Sequence, residues 1–193
     1  VQDGTELGVT DPVDPGVSEE GSPYIGTDID KWQPDEDPET TTDHLDDDTF
    51  ARLTRRALGH YGDLSKLVAS PLTQLPVIDE RLAARGAADQ PLERANELKA
   101  LLADHIARLK PRDGGEFGTT EQWRYYNSLY FPYVVGVRAY AQNATAAGLD
   151  PVARQAWQWF VTEVPQRSLH NWQNAAARLI AADLRGTPVS TLT

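Results

Sequence analysis

Cysteine is absent from the chain, and so is methionine. The missing cysteines exclude disulfide staples, thiol nucleophiles and cysteine-ligated zinc or iron–sulfur centres in one step. No run of about 18 apolar residues occurs, so no membrane span is expected. No basic segment leads into an apolar stretch, so no secretory signal is expected, and the absence of cysteine fits a cytoplasmic protein. Catalytic motifs are missing as well. The chain has no glycine-rich phosphate loop ending in Lys-Ser or Lys-Thr, no G-x-S-x-G elbow and no H-E-x-x-H helix. His44, His60, His105 and His170 each stand alone. Paired carboxylates concentrate near the N-terminus, where no pocket can tune them. An enzyme is therefore not expected, nor a cofactor or metal.

Positive charge is missing from one part only. Residues 1–50 carry sixteen Asp and Glu against one Lys, and the remainder carries seventeen Lys and Arg against thirteen acids. The formal charge of −11 is thus a tail of −15 on a body of +4. Residues 1–47, rich in Asp, Glu, Pro, Gly, Ser and Thr, bury too little to offset their chain entropy and are expected to form a disordered acidic arm. Their large apolar residues, Tyr24, Ile25, Ile29 and Trp32, cluster in Y-I-G-T-D-I-D-K-W. That cluster is either part of a solvating tail or a docking segment for the basic body or a protein partner. Folded back, the arm would compete with DNA phosphates for the same Arg side chains. His44 among Asp43, Asp46, Asp47 and Asp48 lacks the spaced ligands of a calcium loop; these carboxylates favour the positive end of the next helix.

The body is helical by pattern. Asp48 or Thr49 caps a helix to about Tyr61 with Phe50, Leu53, Ala57, Leu58 and Tyr61 inward. Short turns follow from Asp63 and from Ser70-Pro71, then a helix over 77–84 that Gly86 stops. Pro91 opens the longest helix, to Leu109, with His105 near its apolar stripe. Arg55, Arg56, Lys66 and Arg85 form either a phosphate-touching patch or ordinary solvated charge. Residues 48–110 make the first helical group and 111–118 a linker loop. A second group over 119–186 and a tail over 187–193 complete an all-α fold of two packed groups. The aromatics from Trp123 to Tyr140 fill a small core, or, interleaved with Arg124 and Arg138, stack bases.

The most informative stretch is the last. Asp150–Arg185 reads as two helices joined at Glu163-Val164-Pro165. In the second, Leu169, Trp172, Ala176, Leu179, Ile180 and Leu184 share one face at steps of three and four. The other face holds Gln166, Arg167, His170, Asn171, Asn174 and Arg178. Asn and Gln can pair with adenine and Arg with guanine, so this face suits a base-reading helix; it equally suits a helical hairpin with an amide-rich exterior.

The run V-P-Q-R-S-L-H-N-W-Q-N-A-A-A-R-L, Val164 to Leu179, resembles the turn and recognition helix of bacterial helix-turn-helix regulators of the sigma-region-4 type. Val164 matches the apolar turn residue and Arg167-Ser168 an Arg-Thr pair. Leu169 and Trp172 match inward positions, and Ala176 and Leu179 match packing positions. Arg56 to Leu75 is similar to the region preceding this domain in a group of bacterial regulators. Pro165 replaces the usual Ser cap, Asn171 and Asn174 stand where Arg or Lys is common, and residues 131–150 make a longer connection than the pattern has. The resemblance implies a transcriptional regulator bound to double-stranded DNA. Gln166, Arg167, His170, Asn171 and Asn174 would reach base edges, Ser168 would contact DNA beside them, and Arg154 and Arg178 would hold phosphates. A body charge of +4 implies a modest salt slope, so specific binding calls for a homodimer or a partner. The alternative expectation is a helical protein–protein interaction module of the same fold.

Overall fold

A computed structural model of the chain describes residues 42–186, and all regular structure within them is helical, with seven α-helices and no strand. The expectations placed on residues 1–41 and 187–193, including the cluster Tyr24, Ile25, Ile29 and Trp32, lie outside the described residues. No described helix is long and apolar enough to cross a membrane.

The folded body begins earlier than 48. A 3-10 turn at Thr42–His44 precedes α1, Asp47–Gly59, and Thr42 is buried. The reason is capping: Asp46, rather than Asp48 or Thr49, accepts the Thr49 N–H at 2.7 Å. That bond holds the Asp46 carboxyl below its usual range. Leu45 then packs against the core. Residues 42–47 thus belong to the fold, not to the arm.

Capping sets the next elements too. Asp63 accepts the Lys66 N–H to start α2, Leu64–Val68. Ser70 accepts the Leu72 N–H to start a 3-10 turn at Pro71–Gln74. Prolines at the first turn open α3, Pro76–Arg85, and α4, Pro91–Arg108. Gly86 ends α3 in the left-handed region at φ 64, where a Cβ would be strained.

The aromatic block departs from a plain helix. Glu121–Trp123 is a 3-10 turn, α5 covers only Arg124–Leu129, and Tyr130–Val135 widens into a π turn that Gly136 closes at φ 89. Pro132 explains the widening: it has no N–H for the α-helical ladder and its ring crowds the preceding turn. The connection to α6, Pro151–Glu163, is not slack, because the Tyr140 hydroxyl donates to the Val164 carbonyl at 2.7 Å and so closes the C-terminal end of α6. Asp150 caps the other end through the Ala153 N–H at 2.9 Å. After Val164 and Pro165, α7 runs from Gln166 to Leu184.

Two apolar clusters organise these helices. The larger draws on α1 to α5 and on Ala176, Ala177, Ile180 and Ala181 of α7. The smaller gathers Phe131, Val137, Ala153, Ala156, Trp159, Phe160, Val164 and Leu169. The expected division into 48–110 and 119–186 therefore does not divide the packing. The C-terminal half of α7 lies against α1, the N-terminal segment of the body, and also against α5. Phe50, Leu58 and Ile180 are almost wholly buried in this shared core, each worth about 1.5–3 kcal/mol.

Candidate functional site

The amide-rich face of α7 is the surface the sequence singles out, and its two halves differ. Gln166, Arg167, His170 and Asn171 are exposed, and their side chains make no hydrogen bond or ion pair with any other described residue. Ser168 is half-buried beside them. Pro165 supplies no capping side chain, so the first N–H groups of α7 also lack a side-chain partner. Trp172 fixes this end from the side: its ring stacks on Trp159 at 5.9 Å and 12°, and the Arg124 guanidinium lies 5.3 Å above it. Arg124 in turn pairs with Glu121 at 3.1 Å.

The C-terminal half is engaged within the chain. Asn174 is exposed but accepts a hydrogen bond from Arg55 Nε of α1 at 3.2 Å. Arg178 faces Asp48 at 3.7 Å, and Arg185 faces Asp47 at 3.1 Å while stacking over Phe50. Arg154 sits on α6 with its guanidinium donating to the Leu149 carbonyl, not to anything on α7. The geometry thus brings Gln166, Arg167, Ser168, His170 and Asn171 together, adds Asn174 and Arg178 further along the helix with partners already in place, and leaves Arg154 apart.

The inward stripe is rotated from the expected one. Gln173, only 3% exposed, occupies its centre, while Trp172, Leu179 and Leu184 lie at its edges, half-buried. The reason is a donor shortage in the facing turn. Ser128 would take an α-helical hydrogen bond from residue 132, which is Pro132. Gln173 Nε2 supplies a donor to the Ser128 carbonyl at 3.0 Å instead, and Gln173 Oε1 accepts from Arg55 Nη2 at 2.7 Å. Sequence reasoning missed this network. The only signal for it was a proline in a helical pattern, with an amide elsewhere free to compensate.

The expected basic patch does not form as a unit. Arg55 joins the Gln173–Asn174 network, Lys66 pairs with Asp63 on its own helix, and Arg85 is held by Glu93 and Glu97. The aromatic block is mainly core, with Trp123, Tyr126 and Phe131 buried. His105 is buried against Asp183, whose carboxylate lies 2.8 Å from Nδ1 and 3.2 Å from Arg108. Counted over 42–186, the sequence holds seventeen Lys and Arg and seventeen Asp and Glu, so the described body carries no net charge.

Compared with known proteins, the chain matches no family model, no curated protein and no solved structure.

Proposed function

We propose that the chain is a DNA-contacting regulator that reads base edges with the first two turns of α7. The observation that carries this reading is the group Gln166, Arg167, His170 and Asn171: four neighbouring polar side chains, exposed and without partners among the described residues. Amide and guanidinium groups at the start of a helix match adenine and guanine edges in a major groove, and no bond within the chain holds these four back from such edges. Ser168 is suited to a phosphate. Asn174, Arg178 and Arg154 would have to leave Arg55, Asp48 and Leu149 before touching DNA, so they are secondary contacts.

A body without net charge gathers few phosphates, so affinity per chain is low and a second copy or a partner completes the site. The same neutrality favours a second reading, a helical module that offers this surface to another protein. Fluorescence anisotropy on random duplex DNA separates the two. The full chain and a form starting at residue 42 are titrated at low and at moderate salt, beside the double variant Arg167→Ala, Asn171→Ala. Salt-sensitive binding that the variant loses supports the DNA reading, and stronger binding without the arm supports autoinhibition by the arm. No binding at low salt by either form rejects the DNA reading and leaves the protein-interaction module.

A further inference from the structure

The cations of α3 and the start of α4 are held by carboxylates: Arg81 by Glu97 and Asp104, Arg85 by Glu93 and Glu97, Arg94 by Asp79 and Asp89. Lys99, Lys110 and Arg55 are different. Each lies over a tyrosine ring, Lys99 over Tyr61 at 5.0 Å, Lys110 over Tyr126 at 5.9 Å and Arg55 over Tyr133 at 5.4 Å. None of the three has a carboxylate at ion-pair distance among the described residues. Tyr130 links two of these rings, Tyr126 and Tyr61, and shares the π turn with Tyr133. It stacks on Tyr126 at 4.9 Å and 14°. It also lies close enough to Tyr61 to add to the effect of burial in raising that hydroxyl's pKa. Tyr61, Tyr130 and Tyr133 are half-buried, so part of each ring stays open, while Tyr126 is buried beneath them.

We propose that this strip, formed by α1 and α4 with the residues just after each and by the π turn, binds single-stranded nucleic acid, with phosphates on Lys99, Lys110 and Arg55 and bases against Tyr61, Tyr130 and Tyr133. A cation over a partly exposed ring, as at Tyr61 and Tyr133, is worth only about 0.5–1 kcal/mol, whereas Lys110 lies over the buried Tyr126 and offers only its charge. A phosphate can therefore draw the ammonium off the ring and uncover a face on which a base stacks. A duplex hides its base faces and cannot use the rings. An acidic peptide would satisfy the cations but leave the rings nothing to stack on. The strip is separate from the exposed start of α7, but Arg55 also holds Gln173 and Asn174 further along that helix, so Lys99 and Lys110 are the clean handles.

The test titrates the full chain with fluorescently labelled oligothymidylate at low salt and over a salt series. The double variant Lys99→Gln, Lys110→Gln is expected to bind about tenfold more weakly, with a log–log salt slope shallower by about 1.4. Tyr61→Leu is expected to lose about tenfold at unchanged slope. Circular dichroism confirms that each variant is folded. Arg167→Ala with Asn171→Ala leaves this binding intact, so the strip and the α7 surface stand or fall separately. Three outcomes overturn the proposal: no binding of oligothymidylate at low salt, affinity unmoved by the lysine changes, or displacement by polyglutamate of equal charge at equal concentration.

Discussion

Replacing Gln173 by Leu isolates the contribution of the network between α1, α5 and α7. The two side chains have similar volume, so little cavity forms and the change is mainly chemical. The Ser128 carbonyl, buried and facing Pro132 in its own turn, loses its Gln173 donor at 3.0 Å. A buried acceptor left unsatisfied costs about 1–3 kcal/mol. The charge-assisted bond from Arg55 at 2.7 Å is lost as well. A bond to a charged group is worth about 1.5–3 kcal/mol, less here because Arg55 is half-exposed and keeps Asn174 and water. Burying a leucine in place of the amide offsets about 1 kcal/mol. The net loss is about 2–3 kcal/mol, which lowers a urea midpoint by about 1 M if m is about 2 kcal/mol/M. A Pro132→Ala background gives residue 132 an N–H to offer, so there Gln173→Leu should cost less; a double-mutant cycle measures the difference. A loss below about 0.5 kcal/mol, or costs that simply add in the cycle, would refute the donor-shortage argument.

His105 makes the fold acid-sensitive. Burial lowers its pKa, opposed by the neighbouring Asp183 and Asp104 and assisted by Arg108, so the unfolded chain binds the proton more readily. The stability it contributes is present above the unfolded value near 6.5 and is lost as pH falls below it toward the depressed folded value. Urea midpoints at pH 7 and pH 5 should drop more for the native chain than for His105→Gln. Arg94, which donates to Asp79, Asp89 and the Thr73 carbonyl with a side chain only 14% exposed, joins α3, α4 and the turn before α3. Arg94→Ala should cost about 1–3 kcal/mol in a denaturant titration, whereas Lys66→Ala, across an exposed pair, should cost under about 1 kcal/mol. At Gly118 an added Cβ would lie 2.4 Å from the Trp123 indole nitrogen, and Trp123 is buried. Gly118→Ala should therefore destabilise by about 1–3 kcal/mol and shift the tryptophan emission.

The helices that depend on local chemistry were legible in the sequence. Asp63, Ser70-Pro71, Gly86 and Pro91 act within a few residues of themselves, and the elements begin and end where they direct. What depends on distant partners was not legible. The cap of α1 moved two residues upstream because Asp46, not Asp48, has the extended backbone that lets its carboxylate reach back to an N–H of the first turn. The rotation of α7 depends on Pro132, far away in sequence, leaving a carbonyl without a donor. Apolar spacing alone places Trp172 and Leu179 inward as readily as it places Gln173, because periodicity counts side chains and not the unsatisfied groups opposite them.

That distinction separates the two parts played by α7. Its C-terminal half is structural: Gln173 serves Ser128, Arg178 meets Asp48, and Asp183 receives His105 and Arg108. Its first two turns are held from beneath by Leu169 and from the side by the Trp172–Trp159 stack, yet leave Gln166, Arg167, His170 and Asn171 without partners. A polar side chain inside a network is explained by the fold, and substituting it reports on stability. A polar side chain exposed on a rigid helix without a partner in the chain is bonded to water, and substituting it changes stability by no more than about 0.5 kcal/mol. Loss of binding in Arg167→Ala, Asn171→Ala therefore reads on contact rather than on folding. The same loss in a variant of Asn174 would not, because Asn174 is hydrogen-bonded to Arg55 of α1.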